Sequence, residues 1–219
     1  MIFAHEPLKR DLRNARRILW WSFTLELFAT TLPTFDLAYG IYALLLSAFS
    51  VTLLASYYIL FLGFSRMAKH FHKMHIFWLF VAEILFAVFF AVFDVIEKLA
   101  FYGEHDPYLE AATGVMLITS AVLTFLYGYY IMELPQKKFG NILFGARIAN
   151  IGKALLMTSL VYVGGVHSEG SASSLYSFIA LANFVMIIVC TAIDYIILGK
   201  ALRVVGGVLP HPAPAPRLS

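Results

Sequence analysis

The chain has 219 residues, 61% of them hydrophobic and 13% charged, with a mean hydropathy of +0.80 and a formal net charge of +3. A soluble domain of this length carries roughly twice that share of charge, so the composition excludes an ordinary water-soluble globule. The single cysteine, Cys190, excludes an intramolecular disulfide and any cysteine-based zinc site.

The chain opens on "MIFAHEPLKRDLRNARR", polar and basic and with no small-residue cleavage site before the apolar run that follows. Residues 1–17 therefore read as a retained cytoplasmic segment, not a signal peptide. Six apolar segments come next, at 18–38, 41–64, 76–96, 111–132, 142–166 and 174–198. Each supplies the ~20 residues that a membrane-crossing helix needs. Tyr39-Gly40 makes a tight turn after the first. Asp106-Pro107 supplies an N-cap and a proline at the first helical position to open the fourth. Pro135 ends that helix, and 168–173 is a flexible link before the sixth. The tail "PHPAPAPRLS" is proline-rich and extended. The expectation is an all-α, polytopic membrane bundle of six transmembrane helices over 18–200, with a basic segment at 1–17 and a tail at 201–219.

Charge orients this bundle. Lys9, Arg10, Arg13, Arg16 and Arg17 precede the first segment, and Arg66, Lys69 and Lys73 separate the second from the third. Lys137 and Lys138 follow the fourth, and Lys200, Arg203 and Arg217 follow the sixth. With six crossings, all of these lie on one side. The other side holds only Lys98 against Asp36, Asp94, Glu97, Glu104, Asp106, Glu110 and Glu169. The positive-inside rule then puts both termini in the cytoplasm of a plasma-membrane protein. "TLLASYYIL" at 52–60 resembles "TFLYGYYIM" at 124–132, which is read either as a parallel repeat or as chance likeness between apolar helices.

Five ionisable residues fall inside the apolar segments. Counted from the cytoplasmic ends at ~1.5 Å per residue, Asp194 lies ~6 Å deep, Arg147 ~8 Å, Glu83 ~10 Å, Glu26 ~12 Å and Lys153 ~16 Å. Unpaired charge at such depth costs several kcal/mol, so mutual pairing is expected, with Lys153 on Glu83 first and on Glu26 or Asp194 second. Helical phase aligns Glu83, Ala87, Phe90, Asp94 and Glu97 on one face of the third helix. Asn183, Cys190 and Asp194 share a face of the sixth, Ser120, Thr124 and Tyr127 one of the fourth, and Ser22 and Glu26 one of the first. Such stripes line either a conduit toward an acidic outer mouth (Asp94, Glu97 and Asp106) or an ion-pair network that only fixes helix register. Gly145, Ala149 and Gly152 form a small-residue seam for close helix packing.

"KHFHKMH" places His70, His72 and His75 in the link between the second and third segments. The lysine and aromatic neighbours favour contact with anionic lipid headgroups or simple solvation over a weak metal site, which lacks a fourth ligand. Haem would need axial histidines within the spans, and all seven histidines lie in links or tails. No cofactor is therefore expected. No glycine-rich phosphate loop, H-E-x-x-H or G-x-S-x-G occurs, so no catalytic residues and no enzyme activity are expected. The basic run before the first span reads as a topology signal and lipid contact, not a nucleic-acid interface.

The short inside loop, then "NILFGARIANIGKALL", a glycine break and a last apolar helix, resembles an uncharacterised archaeal family of multi-pass membrane proteins over residues 41 to 199. Gly145, Ala149 and Gly152 with their apolar neighbours carry that likeness. It implies a membrane bundle and no particular activity. The charged layer and acidic mouth favour a small cation or proton transporter or channel. A non-catalytic accessory subunit of a larger membrane complex, respiratory or secretory, is the alternative, and either could form homo-oligomers.

Overall fold

The computed structural model describes residues 5–31, 39–100, 107–166 and 172–206. Among these residues the protein is all-α. Helices α1 (His5–Thr31), α2 (Tyr39–His70), α3 (Met74–Ala100), α4 (Pro107–Tyr130), α6 (Ile142–Val166) and α7 (Ala172–Gly206) are long, and α5 (Gln136–Phe139) is a single turn. Four stretches are long and apolar enough to cross a membrane: Gly40–His70, Met74–Phe93, Ala111–Glu133 and Ser174–Gly206. The first three turns of α1 are charged and α6 carries Arg147 and Lys153. Those two helices correspond to the remaining expected segments.

Local chemistry sets the helix ends. Pro107 opens α4, where its missing N–H costs nothing. Leu134 turns extended ahead of Pro135, as a residue before proline prefers, after a 3₁₀ turn at Ile131–Glu133. At the end of α2, Lys73 N–H donates to Ala68 O (2.8 Å) and His72 N–H to Lys69 O (3.0 Å). His72 sits between them at φ 56°. This is a Schellman cap with histidine in the left-handed position that glycine usually takes. Gly140 closes α5 at φ 66°, ψ −155°, backbone open to glycine almost alone.

The long helices make their main contacts in the order α1–α2–α3–α4–α6–α7, and α7 returns to α1 to close a ring. The seam between α3 and α4 is the narrowest in it. Buried side chains concentrate at the end bearing the basic residues. Leu8, Leu12, Ala15 and Leu19 of α1 pack there with Phe64 and Met67 of α2, Ile76 and Phe80 of α3, Tyr127, Phe139, Leu143 and Ile197. α5 seals this end. Phe139 is fully buried, edge-on to Phe71 (5.4 Å), and Lys200 of α7 donates to the Phe139 carbonyl. Toward the other end the described residues form only two small clusters, around Tyr42 and Leu46 and around Ala121, Ala154 and Met157. The outer faces are apolar (Leu85, Val88, Phe89 and Val92 on α3, for example), as lipid contact requires.

The basic N-terminal segment expected to stand apart is continuous with the first apolar segment in α1. Its residues alternate in role. Leu8, Asp11, Leu12 and Ala15 are buried, whereas Arg10, Arg13 and Arg17 are exposed on a single stripe at i, i+3 and i+7. Asp11 is ion-paired with Arg66 of α2 and lies 3.6 Å from Arg10. Gly63 of α2 lets α1 approach so closely that a Cβ there would overlap the Ala15 methyl. Gly63→Ala is thus an overpacking change with no flexible neighbour to yield. It should lower stability by about 1–3 kcal/mol in thermal or denaturant unfolding, and Ala15→Gly in the same chain should recover much of the loss. An unchanged midpoint for Gly63→Ala would contradict this contact.

Candidate functional site: a charged cluster inside the ring

Three of the five ionisable residues expected within the bundle lie near enough to act on one another electrostatically without direct contact. Glu83 comes from α3, Lys153 from α6 and Asp194 from α7, each half-buried. Glu83 and Asp194 act on each other electrostatically, and Lys153 acts on both. Tyr127 of α4, buried, donates its hydroxyl hydrogen to Asp194 Oδ1 at 2.8 Å and also feels Glu83. Cys190, buried one turn before Asp194, lies within the influence of Lys153 and Asp194. Four helices of the ring thus contribute to one cluster of two carboxyls, one ammonium, a phenol and a thiol.

Helical spacing explains who faces in. Asn183, Cys190 and Asp194 fall on one stripe of α7, and the Asn183 Oδ1 is buried without a hydrogen-bond partner. On α4 the stripe of Ser120 and Thr124 ends at buried Tyr127, which packs against Phe80 at 5.5 Å. Close helix approach below the cluster comes from Gly128. A Cβ there would lie 3.0 Å from the Asn150 side chain and 3.1 Å from Arg147 O, so glycine brings α4 onto α6 and Tyr127 toward the interior.

Several expectations need correction. No direct Lys153–Glu83 salt bridge forms. Among the described residues the ion pairs within 4.0 Å are Lys9–Glu6, Arg10–Asp11, Arg66–Asp11 and His75–Glu133. The cluster is held by longer-range attraction and by the Tyr127–Asp194 hydrogen bond instead. Arg147 does not join it. Its guanidinium lies 5.8 Å from the ring of exposed Tyr129, because it sits six residues, or ~600° of helix, from Lys153 and so points well away from it. The proposed small-residue seam is broken up. Ala149 is buried and a Cβ on Gly152 would come within 3.3 Å of the Met186 methyl of α7, but a Cβ on Gly145 would meet only open space. The side chains of Glu26, Asp94 and Glu97, and all of Asp106, lie outside the described residues.

The histidines diverge into three settings. His70 is edge-on to Phe71 at 5.0 Å, His72 is exposed at the left-handed cap, and His75 stacks on Tyr130 (5.3 Å, 9°) with Nδ1 3.2 Å from Glu133 Oε1. Among the described residues no three His, Cys, Asp or Glu side chains gather to hold a metal ion. The Glu133 contact joins residues 58 positions apart in the chain, beyond the reach of local spacing.

One inward cation escaped the sequence reading. Arg16 of α1 lies 4.1 Å from the Tyr195 ring centroid, against Gly199, with its Nε buried and without a hydrogen-bond partner. Its signal in the sequence is its place beside the buried Leu8–Leu12–Ala15–Leu19 stripe, one position after Ala15, which a count of the basic residues ahead of the first segment does not register.

No protein-family model, no curated protein and no solved structure matches the chain. Function is therefore read from the residues of the bundle themselves.

The hydrogen bond between Tyr127 and Asp194 makes these two positions interdependent. Tyr127→Phe and Asp194→Asn should each destabilise the protein, and the double variant should lose less than the sum, with a coupling of about 1 kcal/mol. Strict additivity in unfolding measurements would remove this bond from the account.

Proposed function

We propose that this protein is a six-span membrane protein of the plasma membrane, with both termini on the cytoplasmic side, that moves a cation or a proton through the interior of its helix ring. In this reading α1 and α6 cross with the four more apolar helices, and the basic end faces the cytoplasm. The Lys/Arg bias of that end supports the orientation, and the exposed Trp20, Trp21 and Trp78 toward it fit headgroup depth, because tryptophan favours the headgroup region.

The observation that carries the proposal is the Glu83–Lys153–Asp194 cluster. Charge enclosed among apolar helices is expensive and calls for a purpose or a partner. Two carboxyls share one ammonium, so full ionisation leaves one negative charge over. A single proton or monovalent cation neutralises that excess. Glu83, with no hydrogen-bond donor holding it among the described side chains, is the group that exchanges this proton or cation. Asp194, fixed by Tyr127, shapes the site, and Lys153 is the resident counter-charge that keeps a second cation out. Asp94, Glu97 and Asp106 would form the acidic outer approach. The packed core and α5 form the cytoplasmic closure below.

Proteoliposomes holding the chain alone should dissipate an imposed proton or monovalent-cation gradient. Glu83→Gln should cut that flux at least about tenfold, the cost of removing the only exchanging charge, while Arg203→Gln, on the exposed end of α7, should leave it unchanged. Equal flux in Glu83→Gln and the parent would refute the transport role. A parent chain with no flux at all would favour an accessory subunit.

A further inference from the structure

His75, in the first turn of α3, lays its imidazole on the Tyr130 ring of α4, with 5.3 Å between centroids and 9° between planes. The same imidazole brings Nδ1 to 3.2 Å from Glu133 Oε1. Glu133 ends the 3₁₀ turn that continues α4, so the contact ties the start of α3 to the end of α4. It does so across the narrowest seam of the ring. Phe80 on Tyr127, at 5.5 Å, joins the same two helices about a turn and a half further in.

The two charges are badly placed for their own helices. An imidazolium in a first turn and a carboxylate in a last turn each oppose the dipole of the helix that carries them. Across the seam each meets the helix end that favours it, so the pair compensates both ends together. The neighbouring groups leave Glu133 as the counter-charge. On the α2 side His72 is exposed, Lys73 is half-buried, Lys69 stands 4.3 Å from the Phe77 ring centroid and His70 is edge-on to Phe71. On α4 the neighbours are the phenols of Tyr129 and Tyr130, and Arg147 of α6 lies against Tyr129. Lys137 and Lys138 of α5 are exposed, the latter 5.5 Å from the Phe71 ring centroid. Among these described groups Glu133 is the one carboxylate. The His75 side chain is 70% exposed and that of Glu133 30%, so protons reach the pair from water.

We propose that His75 and Glu133 form a proton-operated clasp between α3 and α4, fastened when the imidazole is protonated and slackened when it is neutral. An imidazolium gives Glu133 a charge-assisted hydrogen bond, whereas a neutral imidazole offers at most one uncharged N–H. The Tyr130 ring face favours the same protonated form, because it attracts a cation. Imidazoles change charge between about pH 5 and 8, where carboxylates stay ionised. The seam therefore tightens as pH falls through this window and loosens as it rises. In the orientation proposed above the clasp reads cytoplasmic pH, but its operation does not rest on the transport role.

The test is a distance measurement between spin labels on α3 and α4 of the purified full chain in detergent. The pairings of His75 with Glu133 and of Phe80 with Tyr127 fix an antiparallel register in which Val92 falls level with Val115, and both of these are exposed. Labels go on Val92→Cys and Val115→Cys, with Cys190→Ala. From pH 5.5 to pH 8 the longer-distance population should grow about threefold, the scale of an exposed ion pair. Added salt should blunt the response. His75→Phe, which keeps a ring for Tyr130, and Glu133→Gln should each abolish it, and His72→Gln should keep it. A distribution independent of pH in the labelled parent would overturn the proposal. So would a response that survives in His75→Phe or Glu133→Gln, or one that is lost in His72→Gln. No flux is read, so failure here is distinct from failure of the transport role.

Discussion

The seam that α1 makes with α2 and α7 is the constraint on which the rest of the bundle depends. Without it the other five long helices form an open row, and the polar stripes of α3, α4, α6 and α7 would border lipid. With it they border one another. The seam is built from a glycine that admits Ala15 at van der Waals limits, a buried aspartate tied to Arg66, and Arg16 set over Tyr195. Breaking a buried pair by removing one partner leaves a charge without compensation. Asp11 and Arg66 are therefore coupled to closure of the ring, not only to each other.

That closure accounts for the arrangement of charge. Glu83, Lys153 and Asp194 are half-buried rather than sealed, and no two of them come within 4.0 Å as an ion pair. A purely structural network would be expected to close its salt bridges, since contact geometry is what repays desolvation. The looser spacing, with only Asp194 pinned by a hydrogen bond, leaves room for an exchangeable ion in the proposed transport reading. The ends of the ring differ to match. The basic end is packed shut around Phe139, Leu134 and Ile131, whereas the described residues toward the other end bury little.

Much of this was available from the order of residues. Hydropathy located the apolar ends of α2, α3, α4, α6 and α7 to within a few residues, while the end expected for the first segment, at 38, lies outside the described residues; helical phase put Glu83, Tyr127, Cys190 and Asp194 on inward faces. The failures have physical reasons. The helices α1, α2 and α7 run well past their apolar segments into the basic end, because core packing there holds polar turns that hydropathy excludes. A depth count could say that Lys153 and Glu83 share a layer but not that they stop short of contact, since pair distances depend on crossing angles that no local pattern encodes. Gly128 outweighed the expected seam because a lone glycine opposite a tight crossing carries no periodic signal. His72 read as a ligand candidate, yet its backbone in the left-handed cap fixes its place.

The central claim is that Glu83 faces the ring interior, reached from the acidic side and shut off from the basic one. The most direct measurement replaces Cys190 with alanine, introduces Glu83→Cys, and applies a small cationic water-soluble thiol reagent from each side of sealed vesicles in turn. Modification from the acidic side and protection from the basic side is the predicted result. Reaction only with a reagent dissolved in the lipid would place residue 83 on the outer surface of the bundle and contradict the account.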